Sequence, residues 1–195
     1  MIIAAFSRTF ASTDRTLLLR DSESEGKKMK YFTPELYARL QATNPSAMDA
    51  ADAAWQQAEE EYEHRLKAIR TTLPPSALKL LDEARLHDAE VLWMGRAVPI
   101  FAILLRLDIP SRATLLLSYF VTQSVQFQPD MMPSDLSNTV MQWMYDEVEL
   151  GSRPRSFKHS VLFSSGCHLE LEGTEVQIAT VDTLYSPALV GSLSS

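Results

Sequence analysis

Cysteine, glycine and long apolar runs are all scarce in this chain, and each scarcity excludes something. Cys167 is the only cysteine, so neither an internal disulfide nor a cysteine-rich zinc site can form. Six glycines in 195 residues leave little material for a phosphate-cradling loop. No Walker loop, Gly-x-Gly-x-x-Gly, Gly-x-Ser-x-Gly elbow or His-Glu-x-x-His occurs. The longest uninterrupted apolar stretch, residues 97–105, is about half a membrane span. Residues 2–6 are too short an apolar run for a secretory signal. Lys and Arg (18) are outnumbered by Asp and Glu (25), a net charge of -7, so neither nucleic acid nor membrane is an expected partner.

What is present is the balance of a soluble globular domain, 46% hydrophobic and 22% charged residues. Residues 1–28 show no sustained period and are polar at their end, and are expected to be a disordered extension. Met29 opens a clean new segment, and Glu25-Gly26 ahead of it can be encoded by a purine-rich stretch at ribosome-binding distance. Translation is therefore expected to start at Met29. Residues 29–181 then read as one domain, helical over 29–85 and sheet-forming over 86–181, with a loose tail at 182–195.

Thr33-Pro34 is a helix start, a threonine cap followed by proline in the first turn, and predicts a helix to about Gln41. Asn44-Pro45-Ser46 is read as its break. From Asp49 to about Thr71, Ala51, Trp55, Ala58, Tyr62, Leu66 and Ile69 form one helical stripe, with acidic residues opposite. The acidic run Glu59–Glu61 is read as a solvated face, and His64 as a surface residue. A third helix is expected from Ser76 to about Arg85, presenting Leu78 and Leu81.

Beyond residue 85 the apolar period falls to two. Strands are expected at 87–93, 100–107, 113–121, 140–150, 157–163, 167–171 and 176–181, in an antiparallel sheet of about six strands. Residues 122–137 are polar, contain Pro129 and Pro133, and are expected to loop out, with Met131-Met132 tucked back onto the body.

Register follows from the turns. A loop of Ser164-Ser165-Gly166 puts Gly166 at the left-handed position. It pairs Phe163 with Cys167, Val161 with Leu169 and His159 with Leu171 on an apolar face, and Lys158 with Glu172 as a cross-strand charge pair on the other. Cys167 then joins the core as an ordinary thiol, on the face opposite His168. A loop of Gly151-Ser152-Arg153-Pro154 pairs Val148 with Phe157, Met144 with Val161 and Asp146 with His159. His87 alternates with Ala89, Val91 and Trp93, so His87, Asp146 and His159 are expected together on the inner face, beneath the helices. Buried polar groups must satisfy one another, and an Asp146–His159 hydrogen bond does so. Two rival readings exist: a metal site of two His and a carboxylate, or acid–base chemistry with His159 as base and Asp146 as its orienter.

Four stretches carry a resemblance: Met29-Lys30-Tyr31-Phe32-Thr33-Pro34, Leu86-His87-Asp88-Ala89, Tyr145-Asp146-Glu147, and Phe157 through Gly166. They are similar to a bacterial family of cytoplasmic proteins known as a domain of unknown function, which implies no activity, cofactor or catalytic residue. The layout also resembles that of immunity proteins that neutralise bacterial toxins, a likeness of fold alone. The expectation is an α+β domain, N-terminal helices on an antiparallel sheet, acting in the cytoplasm as a non-enzymatic binding protein with a protein partner and no cofactor. The alternative is a metal-assisted hydrolase built on His87, Asp146 and His159.

Overall fold

The computed structural model describes residues 29–108, 113–123, 125–128 and 140–181. The expected extension at 1–28, the tail at 182–195 and Met131-Met132 lie outside these. Helix α1 (Pro34–Leu40) starts where expected, with the Thr33 hydroxyl accepting from the Leu36 N–H. Helix α2 (Pro45–Ile69) starts four residues before the expected Asp49. Asn44-Pro45 is a start signal as well as a break: the Asn44 side chain accepts from the N–H groups of Ser46 and Ala47, and Pro45 occupies the first turn. A 3-10 turn (Arg70–Thr72) leads to α3 (Pro75–Glu83), which buries Ala77 and Leu80 and half-buries Leu78 and Leu81.

The strands are β1 (Glu90–Ala97), β2 (Ile100–Arg106), β3 (Thr114–Val121), β4 (Gln126–Gln128), β5 (Trp143–Leu150), β6 (Phe157–Phe163) and β7 (His168–Val181). The antiparallel sheet runs β1-β2-β3-β7-β6-β5, and β4 pairs with β7 beyond the end of β3. β4 falls inside the segment expected to be loop. β7 is one strand where two were expected. It passes the end of β3 through a register shift opposite Gly173, where a Cβ would come within 2.9 Å of the Phe120 carbonyl oxygen. The sheet curls until its first and last strands meet. Glu90 pairs with Gln142, and backbone bonds join Asp88 to Trp143, Trp143 to Ala89 and Val91 to Met141.

The curl makes two cores. The inner one is filled by the sheet's own side chains, among them Ile103, Leu105, Leu117, Tyr119, Trp143, Phe157, Val161 and Leu171, and is plugged by Ile69, Leu73, Ala77 and Leu80. The outer one packs Tyr31, Phe32, Tyr37, Trp55 and Tyr62 against Leu162, Met144 and Tyr145, on the outside of β5 and β6. This corrects one expectation. Helices α1 and α2 cover the face opposite Asp146 and His159, because a curled sheet covers its own concave side. Of the helical part, the inner core is reached only from the C-terminal turn of α2, with Leu66 and Ile69, from Leu73 after the 3-10 turn, and from α3.

The β6–β7 hairpin is as expected. Val161 pairs with Leu169 and His159 with Leu171, Phe163 donates to the Cys167 carbonyl, and Gly166 has φ 81°. The β5–β6 hairpin is shifted by two: Val148, not Asp146, lies opposite His159, and Leu150 opposite Phe157. The connection is Gly151 to Ser156, closed by Gly151 N–H to the Ser156 carbonyl, and a Cβ at Gly151 would collide with the Ser156 side chain. A shift of two leaves every side chain on its face. A bulge between Trp143 and Tyr145 then turns Trp143 inward and Met144 outward, the reverse of the expected placement of Met144.

Within β5, Val148 donates its N–H not to a strand but to the Tyr62 hydroxyl of α2, at 2.7 Å. Both residues are buried. Tyr62→Phe should leave this N–H without an acceptor and cost about 1–3 kcal/mol of stability in urea unfolding. An unchanged midpoint would show that α2 does not hold the edge of β5 this way.

Candidate functional site

Asp146 lies on the inward face of β5, one step along from the residue opposite His159. Its carboxylate bridges two side chains. Oδ1 accepts from the Trp143 indole N–H at 3.1 Å, an approach the bulge makes possible, and Oδ2 lies 3.0 Å from His159 Nε2. The other ring nitrogen, Nδ1, is 3.0 Å from the Tyr119 hydroxyl on β3. An ionised carboxylate only accepts, so Nε2–H donates to Asp146, and in the neutral ring Nδ1 accepts from Tyr119. Trp143, His159 and Tyr119 are completely buried, and the Asp146 side chain is 27% exposed. Burial opposes the Asp146 charge, but His159 first, then the Trp143 N–H and the more distant His87, hold its pKa below the ordinary carboxylate value. Burial, and then the Asp146 charge, push the Tyr119 hydroxyl well above its usual pKa.

The expected pair is thus present, reached diagonally rather than directly across the strands. His87 is not part of it. Asp88, with φ 64°, turns the chain, and β1 begins only at Glu90. The His87 side chain is 52% exposed, with Nδ1 2.9 Å from the Asp88 carboxylate and the ring set edge-on against Tyr145. Among the described residues no group of three or more His, Cys, Asp or Glu side chains is placed to hold a metal ion. Every buried side-chain N or O among the described residues has a hydrogen-bond partner. The chain of bonds ends on Tyr119 in the core.

Trp93 is a further correction. It was expected to face inward with Ala89 and Val91, but a bulge between Val91 and Trp93 reverses it, and it is 54% exposed. It joins an outer face to which the sequence reading assigned no role. The outward residues of β2 and β3, Ile100, Ala102, Leu104, Leu116 and Phe120, are half-buried by their neighbours in the sheet, and the four large ones belong to neither core. Their signal in the sequence was continuity. Ile100 to Leu105 and Leu115 to Leu117 are apolar without alternation, the pattern of strands covered on both faces.

Two buried carboxylates were also missed. Glu147 points outward from β5 and accepts the backbone N–H groups of Lys30, Tyr31 and Phe32 at 2.7–2.9 Å. Burial raises its pKa against those three donors. Glu172 accepts from Ser156, Ser152 and Gln123, so Lys158 pairs diagonally with Glu170 at 2.9 Å instead of with the expected Glu172. A cleft of about 550 Å³ beside α2 is lined by Lys30, Arg65, Glu149, Lys158 and Ser160, among others. Its charges are largely spent on one another, Arg65 on Glu149 in a bidentate pair and Lys158 on Glu170.

Four stretches of the sequence, 29–34, 86–89, 145–147 and 157–166, meet at β5: Glu147 holds 30–32, Tyr145 stacks on Phe32 and touches His87, and Asp146 bonds His159. Fold and site define an α+β protein with a polar chain that runs from the part-exposed Asp146 into the core, and with an apolar sheet face that no other described residue covers. No protein-family model matches the chain, and no curated protein matches it in sequence.

His159→Ala leaves Asp146 and Tyr119 without their shared partner and should destabilise the fold by about 1–3 kcal/mol, read by chemical denaturation. An unchanged midpoint would mean that solvent already serves both groups. Asp146→Asn tests the charge. A depressed carboxylate pKa stabilises above the unfolded value and is lost as pH falls through the folded one. The stability gap between wild type and Asp146→Asn should therefore close as pH drops below the ordinary carboxylate value of 3.8. A gap that stays constant across that range would contradict the charged pair.

Proposed function

We propose that this protein works by binding rather than by catalysis, as a cytoplasmic interaction protein of the bacterial family its motifs resemble. Its working surface is the outer face of β1, β2 and β3. One observation carries this reading: strands composed to be covered on both sides are covered on one side only by the described residues. Apolar residues gathered on one outer face mark a contact surface. The Asp146–His159–Tyr119 chain fits this reading as architecture, since among the described residues its bonds end on Tyr119 in the core. A partner of the immunity type, a toxin held through this face, is one form the reading takes.

A photo-crosslinking residue in place of Trp93, expressed in the native host, tests it. An adduct with a polypeptide is expected at position 93 and none at position 64 on the exposed side of α2. Absence of any adduct at 93, or equal adducts at both positions, would overturn the assignment of the surface.

A further inference from the structure

We propose that a second copy of this chain covers the outer face of β1–β2–β3, making the protein a homodimer through face-to-face packing of two sheets. The inference rests on the binding-surface reading above and names the partner that reading leaves open.

Charge is the first argument. The chain carries a net charge of -7, so two copies repel unless they meet where charge is absent. Outward positions of the three strands include Trp93, Gly95 and Ala97; Ile100, Ala102 and Leu104; and Leu116, Ser118 and Phe120. The only charges on this face of the three strands are Glu90 and Arg106, which neutralise each other across the strands at 3.0 Å. A basic partner would seek the acidic surfaces, and this face offers it nothing. A surface that is apolar at its centre, with its charges at its edge strands, lets two acidic copies meet where charge is least.

Shape is the second. The Trp93 ring lies across Gly95, where a Cβ would collide with it, so the indole presents a flat face instead of a projecting one. Cross-strand neighbours alternate in size, Leu104 with Leu116 beside Ala102 with Ser118. Such a surface suits the aligned packing of two sheets about 10 Å apart. A two-fold contact also needs only one surface to be self-complementary.

Area is the third. β7 extends the face with Ala179 and Val181, opposite Leu116 and Thr114, and with Gln177 and Glu175, opposite Ser118 and Phe120, so that one carboxylate, bonded by the Gln177 amide, lies on the outer strand of the footprint. Four strands at about 4.8 Å spacing and roughly 23 Å long give a footprint of about 450 Å². Two such faces would bury on the order of 1,000 Å² of accessible surface, near the lower bound for a specific interface. The dimer should therefore be one that dissociates on dilution.

The test is sedimentation of the full chain from roughly 1 to 200 μM, a range that brackets micromolar affinity, with acrylamide quenching of tryptophan emission. Trp93 is the exposed tryptophan; Trp55 and Trp143 are buried. Expected is a concentration-dependent dimer in which Trp93 is shielded, abolished by Leu104→Asp with an unchanged circular-dichroism spectrum. Should Leu104→Asp fail to fold, Ser118→Arg places a charge in the same face at a small polar residue and should abolish the dimer equally. A dimer that survives a folded Leu104→Asp or Ser118→Arg overturns the assignment. A monomer at all concentrations with quenchable Trp93 overturns the dimer and leaves the face open for another partner. A monomer with shielded Trp93 overturns both, because the chain itself then covers the face.

Discussion

Three consecutive residues of β5 hold the parts of this protein together, and they can do so because a strand faces three ways. Asp146 points inward and ties β5 to His159 of β6 and, through it, to Tyr119 of β3. Glu147 points outward and gathers three backbone N–H groups of the segment before α1. Val148 turns its N–H to the edge, where the Tyr62 hydroxyl of α2 receives it. Among the described residues β5 ends the sheet, and β1 meets it only near Gln142. An end strand needs such anchoring, since its unpaired edge would otherwise be exposed.

This division gives the polar chain a structural part in the fold. A carboxylate, an imidazole and a phenol in line are the materials of acid–base chemistry, and here they satisfy one another, the imidazole and the phenol fully buried and the carboxylate partly so. The cost of burying them is offset only while all the bonds stand. Such a chain resists change and specifies the curl of the sheet, since it joins β5, β6 and β3, three strands distributed over the sequence. The opposite side of the molecule has the reverse character. The outer face of β1 to β3 is apolar, and among the described residues no helix or strand packs on it.

How much of this was legible depended on whether the signal was local. The helix starts were, since Thr33-Pro34 caps α1 by chemistry contained in the sequence, although Asn44-Pro45 read as a break when it also starts α2. The β6–β7 hairpin was legible because Gly166 and strict alternation admit one register. The β5–β6 register was not, because a slip of two residues leaves both faces unchanged and the connection from Gly151 to Ser156 has no short-turn signature. Bulges defeated the alternation argument at Trp93 and Met144, since one extra residue reverses every side chain beyond it. His87 failed for a related reason: a turn at Asp88 interrupts what looked like strand. The Asp146–His159 contact survived these errors because it depends on which face the two share. The curl, and with it the placement of α1 and α2 outside, depends on strand order, which no local pattern carries.

The most direct test of the central claim, that the buried His159 ring is held in place by its bonds to Asp146 and Tyr119, is nitrogen-15 NMR of the histidine rings in the intact protein. The account expects a slowly exchanging proton on His159 Nε2, the nitrogen held against Asp146 beside the Trp143 ring, while the exposed ring of His64 exchanges too fast to be seen. A His159 ring proton that exchanges as fast as that of His64 would mean that water reaches the chain, and would contradict the account.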